Sequence, residues 1–188
     1  MFEDDISAAM PVLRNGGLIL YPTDTIWGIG CDATDEAAVQ KVFALKKRSE
    51  SKSLVVLLAD ARDLLHYVAN PRPDMADMIA GFTRPTTVIY EGALGLAPNV
   101  ISEDGSIAIR IVKDDFCRHL IKRLRKPLVS TSANISGAPS PARFSEVSEA
   151  IRNGVDYVVK YRQEEAAANT ASRIIKIQHD GSVAIIRD

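Results

Sequence analysis

Two stretches of this 188-residue chain gather side chains that could do chemistry. The first is YPTDTIWGIG followed by CDATDEAAVQKVFALKKRSESKSLVVLL, from Tyr21 to Leu58. It offers Thr23, Asp24 and Thr25 in a Pro-Thr turn, then Lys46, Lys47 and Arg48 at a helix end and Lys52 after a short polar turn. Cations suit a helix C-terminus because they meet the negative end of its dipole, so spacing alone favours a solvated helix end. Their company points further: Lys46 and Arg48 flank one residue at the mouth of a strand pair that also carries hydroxyls, which is how a polyanion such as a phosphate chain is gripped. The second stretch is KPLVSTSANISG, from Lys126 to Gly137, where a strand runs out into hydroxyls and an amide before a glycine. Such a run can be a simple cap or an Asx-type turn. It is also a strand-end loop of neutral hydrogen-bonding groups, and open α/β sheets bind ligands at such loops.

Other chemistries find little support. There is no GxxxxGK[ST] loop, and GIG at 28–30 is too short for a dinucleotide fingerprint. His66, His119 and His179 are scattered, and no sequence marks a nucleophile elbow. Cys31 and Cys117 are far apart and fit no CxxC or Cys/His metal spacing, so both are read as reduced and buried, in a cytoplasmic protein. With 23 basic against 24 acidic residues the net charge is -1, and any basic site must be local. The start MFEDDISAAM lacks the pattern of a secretory signal, and no apolar run approaches the ~20 residues needed to span a bilayer.

The elements that must hold these residues follow from periodicity. At 46% hydrophobic and 25% charged content the chain reads as one globular domain over residues 1–188. The pattern predicts a helix from Asp4 to Asn15, kinked or starting late because of Pro11, and ended by Gly16-Gly17. LILY is a strand. Asp35 and Glu36 open a helix whose Val39, Val42, Phe43 and Leu45 share a face, and a second apolar strand ends at Leu58. Short helices are expected from Asp60 to His66 and from Asp74 to Ala80, then a strand from Thr86 to Tyr90 and a long loop to Asp104. In SIAIRI, alternation puts Ser106, Ala108 and Arg110 on one face and the isoleucines on the other. A helix starts at Asp114-Asp115 and ends in the basic turn Lys122 to Lys126. PLVST is a strand, Glu146 to Arg152 a helix, and VDYVVK, RIIKI and VAIIR are strands, the last two joined by a hairpin over His179-Asp180-Gly181. Strands interleaved with helices and closed by a hairpin make an α/β fold with a twisted, open, mixed sheet and flanking helices.

YPTDTIWGIGCDA, ALKKRSESKSL, SIAIRI and KPLVSTSANISG, in that order, resemble the YrdC-like family of threonylcarbamoyl-adenylate synthases, nearly end to end from Gly16 to Arg187. The specific signature is Lys-x-Arg followed much later by Ser-x-Asn. The resemblance implies a twisted open sheet around a concave, locally positive cavity. It also implies a short form of the synthase, joining L-threonine, bicarbonate and ATP into threonylcarbamoyl-AMP and pyrophosphate, with Mg²⁺ carried in on ATP and none held by protein alone. Partner proteins would then pass the threonylcarbamoyl group to a tRNA adenosine. By the same resemblance, Lys46, Arg48 and Lys52 match positions near the ATP phosphates, with Ser132 and Asn134 as the Ser-x-Asn pair. Thr25, Arg110, Thr131 and Ser172 match positions around threonine, and Ser106 and Arg187 match nucleotide contacts.

Three departures stand out. Thr83-Arg84-Pro85 replaces a common Pro-Gly-Pro, Leu57 stands where longer relatives often have histidine, and Ser172-Arg173 stands where many have Ser-Thr. Two further readings remain: an RNA-binding module that grips tRNA or double-stranded RNA without chemistry, and a paralogue acting on modified tRNA or another nucleotide. Against the first, Tyr21, Trp27 and Phe43 sit in apolar patterns that suggest packing rather than base stacking. The segments Ser136 to Arg143 and Lys160 to Asn169 are expected to close over bound ligand.

Overall fold

The computed structural model describes residues 1–49, 53–165, 170–178 and 180–188. Lys52, the His179 corner of the expected hairpin turn and residues 166–169 of the second closing segment lie outside the described residues. The described elements run α1 (Glu3–Arg14), β1 (Ile19–Tyr21), β2 (Gly28–Gly30), α2 (Glu36–Lys46), β3 (Val55–Leu58), α3 (Leu64–Tyr67), α4 (Met75–Ala80), β4 (Thr86–Tyr90) and β5 (Ile107–Ile111), and continue with α5 (Asp115–Leu124), β6 (Leu128–Ser132), α6 (Glu149–Gly154), β7 (Tyr157–Val158), β8 (Arg173–Ile177) and β9 (Val183–Arg187).

The strands form a nine-stranded mixed sheet in the order β7-β1-β2-β6-β3-β5-β4-β8-β9. It is open at both edges, with flanking helices, as the sequence predicts. β1–β7, β3–β5 and β4–β8 are parallel and the remaining pairs antiparallel. β6 joins the two halves: Leu128, Val129 and Ser130 pair with β3, while Thr131 and Ser132 pair with β2.

The two faces of the sheet are covered differently, and this makes the site. One face packs Ile29, Val56, Leu58, Val88, Ile107, Ile109 and Val129 against α2, α3, α4 and α6. On the other, α1 and α5 cover Ile19, Tyr21, Leu57 and Leu128 with Ile6, Met10, Leu13, Phe116, Leu120 and Leu124. Arg110 is directly opposite Leu57 across the β3–β5 pair, so it shares that second face. In place of a helix above Arg110 there is a recess. The expected alternation in SIAIRI holds, with Ile107 and Ile109 in the core and Arg110 beneath the recess.

Local signals act where expected. Asp35 caps α2 by accepting from the Ala38 amide at 3.1 Å, and Asp114 caps α5 by accepting from the Cys117 amide at 2.9 Å. Some predictions shift, and VDYVVK is a strand only at Tyr157–Val158. α1 continues through Pro11, because the residue four before it, Ser7, is exposed like Pro11 itself and its carbonyl can turn to water. The helix expected from Glu146 begins instead after Ser148, whose hydroxyl accepts from the Ile151 amide at 3.4 Å, and a 3-10 turn fills Phe144–Glu146. Both cysteines are buried and unbridged. Among the described residues no helix is long and apolar enough to cross a membrane.

Candidate active site

The recess over the uncovered half-face measures about 210 Å³. Thr25, Arg48, Arg110, Thr131, Ser132, Ser172 and Arg187 all line it, although they come from segments spread across the chain. Seven of the eleven residues matched by resemblance therefore meet at one place. Gly28 forms part of the floor. At Gly30, in the same strand, a Cβ would lie 2.6 Å from Tyr21 Cε1 and 2.8 Å from the Val129 carbonyl, so only glycine lets β1, β2 and β6 close together there. The Tyr21 hydroxyl donates to that carbonyl at 3.0 Å.

The PTDT turn is wired internally. Thr23 donates its hydroxyl to the Ile26 carbonyl at 2.7 Å and accepts from the Thr25 amide at 3.0 Å. With that proton committed, the 2.9 Å contact between the two hydroxyls has Thr25 as donor. Thr25 Oγ1 in turn accepts from Arg110 Nη2 at 3.2 Å, and the same nitrogen is 3.0 Å from Asp24 Oδ1. Arg110 is 4% exposed, and its Nε has no hydrogen-bond partner among the described residues. A buried guanidinium nitrogen without an acceptor is costly, and a ligand carboxylate would supply one. Ser172 stands nearby, with its hydroxyl 2.8 Å from that of Thr87 and its carbonyl receiving Arg187 Nη2 at 2.7 Å.

Lys46 and Asn134 do not line the recess. Lys46 is 1% exposed, and its ammonium donates to the carbonyl of Ser132, to that of Asn134 at 2.7 Å and to Asn134 Oδ1 at 3.5 Å. Its own carbonyl receives the Ser136 amide at 2.8 Å. Asn134 Nδ2 donates to the carbonyls of Ile135 and Ala138 at 3.1 and 2.7 Å. Together they form the post around which the loop after β6 is wound, so they present Ser132 rather than reach into the recess. α2 ends in a Schellman turn, in which Lys47 takes a left-handed φ of 49° and the Arg48 amide returns to the Phe43 carbonyl. The chain reverses there, and Arg48 comes to the recess wall, donating to the Ser53 carbonyl at 2.9 Å. Ser106 stands apart, its hydroxyl donating to Asp104 Oδ1 at 2.6 Å.

Electrostatically the recess is short of negative charge. Burial, helped by the Arg48 charge, pushes the Lys46 ammonium down to about 8. Burial also lowers Arg48, and burial followed by the neighbouring Arg110 charge lowers Arg187. Cations held this way attract an anion that restores their favourable surroundings.

The sequence departures settle into place. Arg173 Nε and Arg84 Nη2 share one oxygen of Asp188, at 2.9 and 3.2 Å, so both turn to the same carboxylate. Leu57 is fully buried under α1 and α5, where an aliphatic side chain belongs. Sequence reasoning missed two supports. Asp5 on α1 is buried and accepts from the Tyr157 hydroxyl at 2.7 Å and from the Lys160 and Tyr161 amides at 2.9 Å. Arg162, at φ 66°, joins the Thr23 carbonyl (3.3 Å), Asp114 (2.9 Å) and Glu165 (2.8 Å), tying the PTDT turn to the start of α5. Its positive φ in a non-glycine residue carries no sequence signal; the acid at Asp5, on the buried face of an amphipathic helix, was a readable one.

Comparison with known proteins gives the chain's relatives. The chain is 30% identical to the threonylcarbamoyl-AMP synthase of Pseudoalteromonas translucida over 184 residues, 96% of this chain and 97% of that protein. It is 38% identical to the enzyme of that name from Stenotrophomonas maltophilia over 149 residues, 78% of this chain and 80% of that protein. The structure of P. abyssi Sua5 complexed with L-threonine superposes with a TM-score of 0.83 at 26% identity, over 98% of this chain. The present chain spans about half of that longer protein, 54% of its length. E. coli YciO shares the fold, with a TM-score of 0.83 at 19% identity over 98% of this chain and 89% of that one. The family model Sua5_yciO_yrdC, described as Telomere recombination, matches residues 11–188, and the chain belongs to this family.

Proposed function

We propose that this protein is an L-threonylcarbamoyladenylate synthase, a nucleotidyltransferase that makes threonylcarbamoyl-AMP and pyrophosphate from L-threonine, bicarbonate and ATP for tRNA modification. The observation that carries the reading is the buried Arg110, whose Nε lacks an acceptor at the floor of a recess also walled by Thr25, Ser172, Arg48 and Arg187. A small amino acid fits there, with its carboxylate on Arg110 and its hydroxyl within reach of Thr25 or Ser172. At about 210 Å³ the recess takes an amino acid and a phosphate group, so the nucleoside would extend along the rim near Ser53 and Ser140.

The chemistry needs no enzyme nucleophile. The amine of threonine adds to carbon dioxide with loss of a proton to solvent, or to bicarbonate with loss of water. An oxygen of the resulting carbamate attacks the α-phosphorus of ATP, expelling pyrophosphate. Positioning and charge stabilisation carry such a step. Arg48 would neutralise the charge growing on the phosphate oxygens, and Ser132, held by the Lys46–Asn134 post, would orient them. The described residues lining the recess are hydroxyls, arginines and apolar groups, with no carboxylate among them. Mg²⁺ bound to the triphosphate would keep phosphate and water ligands and withdraw charge from the leaving group.

An RNA-binding module without chemistry would use exposed aromatics as stacking platforms. Trp27, the aromatic that lines the recess, is 6% exposed and packs on Phe144 at 4.8 Å between ring centres. The deciding experiment measures pyrophosphate release from ATP by the purified protein. Release is expected only when threonine and bicarbonate are both present; release without threonine would remove the assignment.

A further inference from the structure

A second recess of about 320 Å³ lies at the opposite end of the β3–β6 pair, beside Leu58 and Pro127. Pro127 and Ser132 are five residues apart along an extended chain, roughly 16 Å at the usual strand rise. The two recesses share no lining residue.

Its cations come from the basic turn after α5. Lys122 sits in the last turn of that helix, where the dipole accounts for it. Arg125 caps the helix end and Lys126 follows it, so the same dipole favours both. Arg125 takes a left-handed φ of 58° as the chain turns back toward β6. All three side chains are exposed, and among the described residues none forms an ion pair. Lys126 Nζ donates to Thr34 Oγ1 at 3.3 Å.

The acids nearby leave these cations available. Asp60 feels the charge of Lys122 but is held by Arg62 in a two-pronged contact at 2.9 and 3.0 Å. Asp32 Oδ1 accepts from the Thr34 amide and hydroxyl. Asp63 lines the recess itself. The facing wall is α3, with His66 exposed and the half-buried Tyr67 beside it, ring centres 6.2 Å apart. The Tyr67 hydroxyl has no protein partner among the described residues.

Three cations without ion pairs, an aromatic wall and one carboxylate around a small recess match the parts of a nucleotide. A guanidinium fork and two ammonium groups suit a phosphate, a phenol ring suits a base, and a carboxylate suits ribose hydroxyls. The volume is at the low end for small-molecule sites and fits one nucleotide unit. We propose that this recess is a second, non-catalytic site for one nucleoside monophosphate unit, supplied either as free nucleotide or as a residue of an RNA strand.

The test follows the His66 and Tyr67 NMR signals of the full chain while AMP, inorganic phosphate or a short single-stranded RNA is added in separate titrations. The expected result is saturable shifts at both residues with AMP or with RNA; RNA alone producing them would identify the strand as the source. Replacing both Lys122 and Arg125 by alanine should weaken that binding by about tenfold or more, as loss of charge-assisted contacts predicts. The same variant should leave signals from Ser132 and Ser172, and pyrophosphate release, unchanged. Shifts with inorganic phosphate equal to those with AMP would reduce the site to a simple anion patch and overturn the proposal. Failure of both AMP and RNA to move His66 and Tyr67 would overturn it too.

Discussion

Arg110 Nη2 lies 3.0 Å from Asp24 Oδ1, and both side chains are largely buried, at 4% and 13% exposed. Asp24 is absent from the recess lining and acts on Arg110 as a countercharge, since its Oδ1 makes no hydrogen bond among the described residues. Asp24→Asn preserves shape but removes the countercharge. The expected outcome is a rise in the KM for threonine larger than the fall in kcat, together with a loss of about 3 kcal/mol in unfolding free energy from an uncompensated buried charge. Steady-state kinetics beside urea unfolding would check both, and an unchanged KM would show that Asp24 does not act on the site.

Lys46 offers a pH signature. Its ammonium titrates at about 8 in the folded protein, against an ordinary value of 10.5, because of burial and then of Arg48. With the folded value below the unfolded one, unfolding takes up a proton between those limits. This lysine's contribution to stability therefore rises with pH from about 8 to 10.5, and the cost of burying its charge is felt in full below 8. A ¹³C-lysine titration should find one resonance with a midpoint near 8 that vanishes in Lys46→Met. That variant should also lose activity as the Ser132–Ala138 loop loosens; a midpoint above 10 would contradict the burial argument.

Arg48, on the recess wall, is proposed to meet the phosphates. Arg48→Ala should cost on the order of 2–4 kcal/mol of transition-state stabilisation, comparable to removing one donor to a developing oxyanion. Folding should change little, since the side chain is half-exposed at the rim. Near-normal turnover would show that Arg48 is only a solvated residue past the end of α2.

Choice of amino acid probes Thr25 and Ser172. A pocket that hydrogen-bonds the threonine hydroxyl rejects valine strongly, while a missing methyl separates serine by only about 1–3 kcal/mol. Competition assays with the three amino acids should rank threonine first, serine next and valine far behind. Equal rates with valine and threonine would remove the assignment of the amino acid.

How much of this could be read beforehand depended on whether the signal was local. The cap at Asp35, the alternation that sets Ile107 and Ile109 on one face and Arg110 on the other, and the two polar motifs are set by neighbours along the chain, and the fold class follows from them. What Lys46 does was hidden, because its ammonium turns toward carbonyls 86 and 88 residues away in sequence, while Asn134 Nδ2 bonds locally to the Ile135 and Ala138 carbonyls. The tasks of Arg84 and Arg173 were hidden for the same reason: their shared carboxylate, Asp188, is remote in sequence from Arg84 and is reached only through the β4–β8–β9 pairing. Ser106 shows the limit of a local pattern. Its alternation was right, but a two-residue turn to Asp104 claims its hydroxyl.

The strand order has one more consequence. Thr25, Arg48, Arg110, Ser132, Ser172 and Arg187 meet only when β2, β6, β3, β5, β4, β8 and β9 are all paired, so no fragment of the sheet can form the recess alone. Occupancy is then a gauge of the whole fold: substrates present at about a hundred times their Kd add roughly 2.7 kcal/mol against global opening. Damage anywhere along the seven strands should surface first as weakened occupancy, well before the chain itself melts.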